Sequence, residues 1–68
     1  MADAAFKKIE VVGTSTKSFT EATSNGVEKA AESLHGMSWF EVVEMRGSIV
    51  DGKVHQYQVT LKIGFKVD

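Results

Sequence analysis

The hydrophobic positions change their period along the chain. From Phe6 to Val12, Ile9 and Val11 fall on one face while Lys8 and Glu10 fall on the other. That alternation predicts a half-buried strand, ended by Gly13-Thr14-Ser15. From Phe19 the small and apolar residues recur at Ala22, Thr23, Gly26, Val27, Ala30, Ala31 and Leu34, the spacing of one helical stripe. Ser18-Phe19-Thr20-Glu21 predicts the helix start as a capping box, in which the Ser18 hydroxyl accepts from the Glu21 amide and the Glu21 side chain reaches back. Gly36 suits the left-handed residue that closes a helix. Asn25-Gly26 is a turn signal in isolation, but the stripe passes through it without a phase shift. Gly26 is therefore read as a point of close helix approach, at about 1 kcal/mol of helix propensity relative to alanine.

From Trp39 the alternation returns and runs to Val67, interrupted by Asp51-Gly52, a strong two-residue hairpin signal. A simple turn there sets Val50 opposite Lys53, Phe40 opposite Ile63 and Val42 opposite Leu61. It also sets Glu41 opposite Lys62 as a cross-strand ion pair. Tyr57, Val59, Leu61, Ile63, Phe65 and Val67 form an apolar face for the helix. Trp39, Glu41, Val43, Met45, Gln58, Thr60, Lys62 and Gly64 form the opposite face, with Trp39 across from Gly64 and Gln58 across from Met45. A bulge near Gly47 is expected to alter the register beyond it. One helix covers one side of such a ribbon. The other side meets water, a ligand or another copy, and a large aromatic there marks either an interface or a ligand platform.

Size and charge narrow the partners. Sixty-eight residues make a single domain, 1–68, and a core of this size rarely contributes more than about 3–5 kcal/mol. There is no cysteine, so no disulfide or thiolate metal site. His35 and His55 lack ligand-like spacing, and no metal ligand set is assigned. Self-association is the remaining staple. A formal charge of −1 argues against nucleic acid. No apolar run is long enough for a bilayer and no signal peptide opens the chain, so a cytoplasmic location is expected.

Taken in order, Val12-Gly13-Thr14-Ser15, the capped helix, Trp39-Phe40-Glu41-Val42, Arg46-Gly47, Asp51-Gly52, Tyr57-Gln58-Val59-Thr60 and Gly64-Phe65 resemble the dodecins. These are small flavin-binding proteins that form hollow twelve-subunit shells. The resemblance spans about Phe6 to Phe65. It implies an α+β fold, a three-stranded antiparallel sheet in β-α-β-β order wrapped around one helix and assembled into a homododecamer. It also implies paired isoalloxazine rings on twofold axes, sandwiched by a tryptophan from each of two subunits. Trp39 matches that tryptophan, and Gln58 matches the glutamine that bonds the flavin edge.

The residue types suit such a ligand on chemical grounds as well. An indole face stacks on a flat, electron-poor ring, and a primary amide offers a donor and an acceptor to its edge. Six residues separate Trp39 from the partner of Gln58, roughly 20 Å at about 3.3 Å per residue. A site needing both is then built from two chains. Arg46 and Lys66 are candidates for a phosphate, Arg46 as a fork and Lys66 as a point charge. The alternative is an ordinary surface cation, with Glu10 or Glu44 holding Arg46. The resemblance implies FMN as the first choice, with riboflavin or FAD as alternatives, since halophilic relatives with more acidic surfaces take unphosphorylated flavins and this chain has a balanced charge.

His35, in the last helical turn, and His55, near the hairpin end, are read as surface residues. Thr14 and Ser15 have no base at catalytic spacing, and Glu28 and Glu32 are read as a solvated helix face. No catalytic residue is assigned. The expected function is non-enzymatic flavin storage and photoprotection. The alternatives are a structural shell without a native flavin and a small flavoenzyme.

Overall fold

The computed structural model describes residues 3–67. Strand β1 (Phe6–Ser15) leads into helix α1 (Phe19–Ala30), followed by the long strands β2 (Met37–Val50) and β3 (Lys53–Lys66). The sheet is antiparallel throughout, in the order β1-β3-β2. The expected α+β architecture is therefore present. Strand β1 runs to Ser15, beyond the predicted Val12, because Gly13, Thr14 and Ser15 continue the ladder to Val59, Gln58 and Tyr57.

Ser18 caps α1 through one half of the predicted box. Its Oγ accepts from the Glu21 amide at 3.0 Å. The other half is replaced: the Ser18 amide donates to the Oγ of buried Ser15 at 3.3 Å, which also takes the Lys17 amide at 2.9 Å. Ser15 thus ties the strand end to the helix start. The helix closes at Ala31, earlier than predicted, and a further turn is held by the Leu34 amide donating to the Ala30 carbonyl at 3.0 Å. Gly36 is left-handed, φ 75°, but lies in the connection to β2, as does His35.

Helix and sheet meet glycine to glycine. A Cβ on Gly13 would collide with the Ala22 carbonyl oxygen and sit 3.0 Å from the Gly26 Cα. The close approach expected of Gly26 is this crossing over β1, and the Asn25 amide secures it by donating to the Thr14 carbonyl at 3.0 Å. The core has two parts. Ala22 packs with Val59 and Leu61 beside Phe19 and Tyr57; Ala30 packs with Ile63 and Phe65 beside Ile9, Leu34 and Met37. Burying each of the large side chains contributes about 1.5–3 kcal/mol.

The hairpin turn is as predicted, with Asp51 at φ 52° and Gly52 at φ 75°, a primed turn matched to strand twist. Val50–Lys53, Val42–Leu61, Glu41–Lys62, Phe40–Ile63 and Trp39–Gly64 all pair as expected. Three irregularities interrupt the ladder. One lies between Ser48 and Ile49, adjacent to the expected bulge at Gly47. Another lies between Met37 and Trp39, and sends these two residues to opposite faces. The third, between Val42 and Glu44, corrects the sequence reading. Val43 is an extra residue, so Gln58 pairs with Arg46 rather than Met45, and Met45 pairs with Val59 on the helix side. Met45 and Val43 therefore do not flank Trp39 in the predicted alternation; Glu44 and Arg46 take the outer positions.

The helix packs on β1 and β3. On the same side of the sheet, β2 leaves Phe40, Val42, Met45 and Ile49 about half or more exposed. With its hairpin arm the molecule measures 58 × 21 × 14 Å.

Candidate functional site

The sheet face away from the helix carries two clusters. Register places Lys8, Gly64 and Trp39 in one row across the three strands, with Glu10, Lys62 and Glu41 in the next. Gly64, in the middle, has no side chain, so the neighbouring strands' side chains meet above the central one. A Cβ at Gly64 would sit 2.5 Å from Trp39 Cη2 and nearer still to Cε2 and Cζ2, so the indole lies directly on the glycine. Phe6 meets the same indole edge-on, with centroids 5.1 Å apart and planes at 65°. Trp39 remains 38% exposed.

Glu41 holds the polar edge of this aromatic group. Its Oε2 accepts from Trp39 Nε1 at 3.1 Å and from Lys8 Nζ at 2.9 Å. The Lys8 bond, then the Trp39 bond, lower the Glu41 carboxyl below its ordinary pKa, with smaller coulombic contributions from Lys8 and Lys62. The ion pair expected between Glu41 and Lys62 is thus made with Lys8 instead. Lys62 faces Glu41 in the ladder with Glu10 on its other side, and Lys8 reaches Glu41 from β1 across the central strand.

The second cluster lies six residues along β3. Arg46 Nε donates to Gln58 Oε1 at 2.7 Å, and Gln58 Nε2 donates to Gln56 Oε1 at 2.8 Å. Arg46 also approaches Glu44, Nη1 to Oε1 4.0 Å, and both side chains are more than half exposed. The bulge at Val43 is what brings Arg46 opposite Gln58. Lys66 is exposed and pairs in register with Phe6, which places it with Trp39 rather than with Arg46. The four candidates therefore divide into Trp39 with Lys66 and Gln58 with Arg46. At about 3.3 Å per residue the groups stand roughly 20 Å apart along the strand.

The sequence reading missed Lys8, Phe6 and Gln56 as participants. Its available signal was Gly64 opposite Trp39, which marks an open place in the central strand. Glu32 accepts from Lys29 at 3.3 Å on an exposed surface, consistent with a solvated helix face. Among the described residues no group of three or more His, Cys, Asp or Glu gathers as a metal would require, and no helix is long and apolar enough to cross a membrane.

A small three-stranded sheet on one helix, with an indole seated on the outer face, defines the class. The dodecin family model matches residues 5–68. The chain belongs to the dodecin family. It is 40% identical over 63 residues to the dodecin of Thermus thermophilus, covering 93% of this chain and 91% of that one. The structure of dodecin from Streptomyces coelicolor superposes with a TM-score of 0.92 at 41% identity, covering 100% of this chain and 97% of that one. A more distant match, with a TM-score of 0.81 at 28% identity, is the calcium dodecin of Mycobacterium tuberculosis, described as calcium chelating with a novel calcium-binding site. It covers 94% of this chain and 91% of that one.

Proposed function

We propose that this chain is a non-enzymatic flavin-binding protein that stores and sequesters FMN, with riboflavin or FAD as lesser ligands, and that it works as a homododecamer. The observation that carries this reading is the seated, part-exposed indole of Trp39. Gly64, Phe6 and Glu41 fix the ring on its covered sides and at its nitrogen, so its remaining surface is a rigid apolar plane. A flat heteroaromatic ring fits such a plane, and family membership makes isoalloxazine the ring of choice. When bound, the flavin supplies an electron-poor chromophore whose excited state is quenched by electron transfer from a stacked indole.

Each protein group then has a defined task. Trp39 stacks. Gln58 offers its amide to the polar edge, with one oxygen lone pair already engaged by Arg46 and one hydrogen by Gln56, which fixes the sense of the amide. Arg46 keeps guanidinium hydrogens free for a phosphate, and Lys66 adds a point charge. The two clusters lie too far apart to reach one ring from a single chain, so the pocket takes Trp39 from one subunit and Gln58 from another. A second apolar row supports assembly: Phe40, Val42, Met45 and Ile49 stand exposed on the helix side of β2. On the outer face the carboxylate that meets the indole, Glu41, is committed to Trp39 and Lys8.

Because that row lies on the opposite side of the sheet from Trp39, it also favours a second reading, a shell that assembles without a native flavin. Mass spectrometry of the small molecule carried through purification separates the two. A flavin, with fluorescence quenched in the parent and restored in Trp39→Ala, supports the first. Assembled, colourless particles that refuse FMN, riboflavin and FAD support the second.

A further inference from the structure

Trp39 is the larger of the groups on the outer face, yet its nitrogen is not left to the ligand. One carboxylate oxygen, Glu41 Oε2, accepts from both Trp39 Nε1 at 3.1 Å and Lys8 Nζ at 2.9 Å. Lys8 comes from β1 and Glu41 from β2, so the link bridges the sheet over the central strand. Gly64 in that central strand leaves its surface to the indole that Glu41 holds. Both charged side chains are more than 40% exposed, and an exposed ion pair contributes little to stability. Its geometry, shared with an aromatic N–H, suits positioning rather than stability.

We propose that Glu41, braced by Lys8, is a positioning residue that fixes the indole of Trp39 for flavin stacking. This rests on the flavin-binding reading above. A tryptophan on an outer strand face has two χ angles to settle. Gly64 sets its depth, Phe6 limits its tilt, and Glu41 fixes its rotation about the ring normal by engaging the nitrogen. A ring held this way does not lose rotamer freedom when the ligand arrives, so affinity rises without an added contact. The indole N–H is also consumed, so Trp39 contributes a π-face and no hydrogen bond to the ligand. Selectivity then falls on Gln58 and Arg46 at the other cluster.

The test compares Glu41→Ala, Glu41→Gln and Lys8→Met in the full chain, with size-exclusion chromatography to check assembly. Two quantities are read: near-UV circular dichroism of Trp39 without ligand, and riboflavin affinity by fluorescence quenching. Riboflavin lacks the phosphate, so the Arg46 and Lys66 contacts do not enter. Glu41→Ala is expected to lose most of the indole dichroism and about tenfold in affinity, the range of one charge-assisted hydrogen bond plus lost preorganisation. Glu41→Gln, whose amide oxygen still accepts from the indole, is expected to restore most of both. Lys8→Met is expected to fall between.

Unchanged dichroism in Glu41→Ala overturns the proposal, as does lost dichroism with full affinity. A parent chain that binds none of riboflavin, FMN and FAD overturns the flavin reading and the purpose of the seat. In that case the ligand-free dichroism still decides whether Glu41 holds the ring.

Discussion

Gly64→Ala is the sharpest perturbation available at the seat of Trp39. The backbone at 64 carries no positive φ that would resist a side chain, so the added methyl acts through space. That methyl would lie 2.5 Å from Cη2 and closer to Cε2 and Cζ2, whereas ordinary contact begins at 3.4 Å. The ring must therefore lift by about 1 Å or more. Overpacking in a sealed core costs about 1–3 kcal/mol, but this ring is part-exposed and free to swing outward. The expected loss of stability is accordingly below about 1.5 kcal/mol, comprising the indole hydrogen bond and part of the ring's packing.

Function is expected to suffer more than stability. A ring displaced by about 1 Å no longer bonds Glu41, and on the proposed function its stacking plane is moved relative to the groups a second subunit supplies. Denaturant unfolding should move little, the Trp39 near-UV dichroism should change strongly, and flavin affinity should fall by about tenfold or more. A Gly64→Ala protein with native dichroism and native affinity would refute the packing described at this row.

Two further outcomes follow from other parts of the molecule. Gly13→Ala meets backbone on both sides, the Ala22 carbonyl and the Gly26 Cα, and neither can swing away; thermal or urea unfolding should show a loss above about 3 kcal/mol, or no folded protein. The Glu41 carboxyl is lowered by the Lys8 bond first and by the Trp39 bond next, against a smaller opposing effect of desolvation, with the charges of Lys8 and Lys62 adding to the lowering. A lowered folded-state pKa means that the Glu41 contribution is fully present above the ordinary value of 4.5 and disappears as pH falls through the lower folded value. The Trp39 dichroism of ligand-free protein should therefore be flat from neutrality down to pH 4.5 and change only in more acid solution, whereas a change centred near neutrality would refute control by Glu41.

Much of the fold was legible because local chemistry and global packing agree. The Ser18 cap, the apolar face of β3 and the Asp51-Gly52 turn each specify one conformation, and each formed. The bulge at Val43 was missed although its mark is present. In Glu41-Val42-Val43-Glu44 the polar residues are three apart, so a strict two-residue period must slip within the pair. That slip moved Met45 to the helix side and brought Arg46 to Gln58. The Lys8–Glu41 contact was not legible, because the strand order β1-β3-β2 puts a central strand between its partners. The glycine in that central strand leaves room for the indole, and Glu41 bonds both the indole and Lys8. Trp39 and Gln58 were legible as candidates from residue type and family resemblance; their grouping with Lys66 and Arg46 required the register.

The gap of six residues between the two clusters on β3 couples chemistry to stoichiometry. On the proposed function, neither half of a pocket has value to an isolated subunit, so dilution that sheds subunits also releases cargo. Conversely, excess chromophore draws protomers together by mass action. Bound colour then serves as a gauge of how many particles are whole.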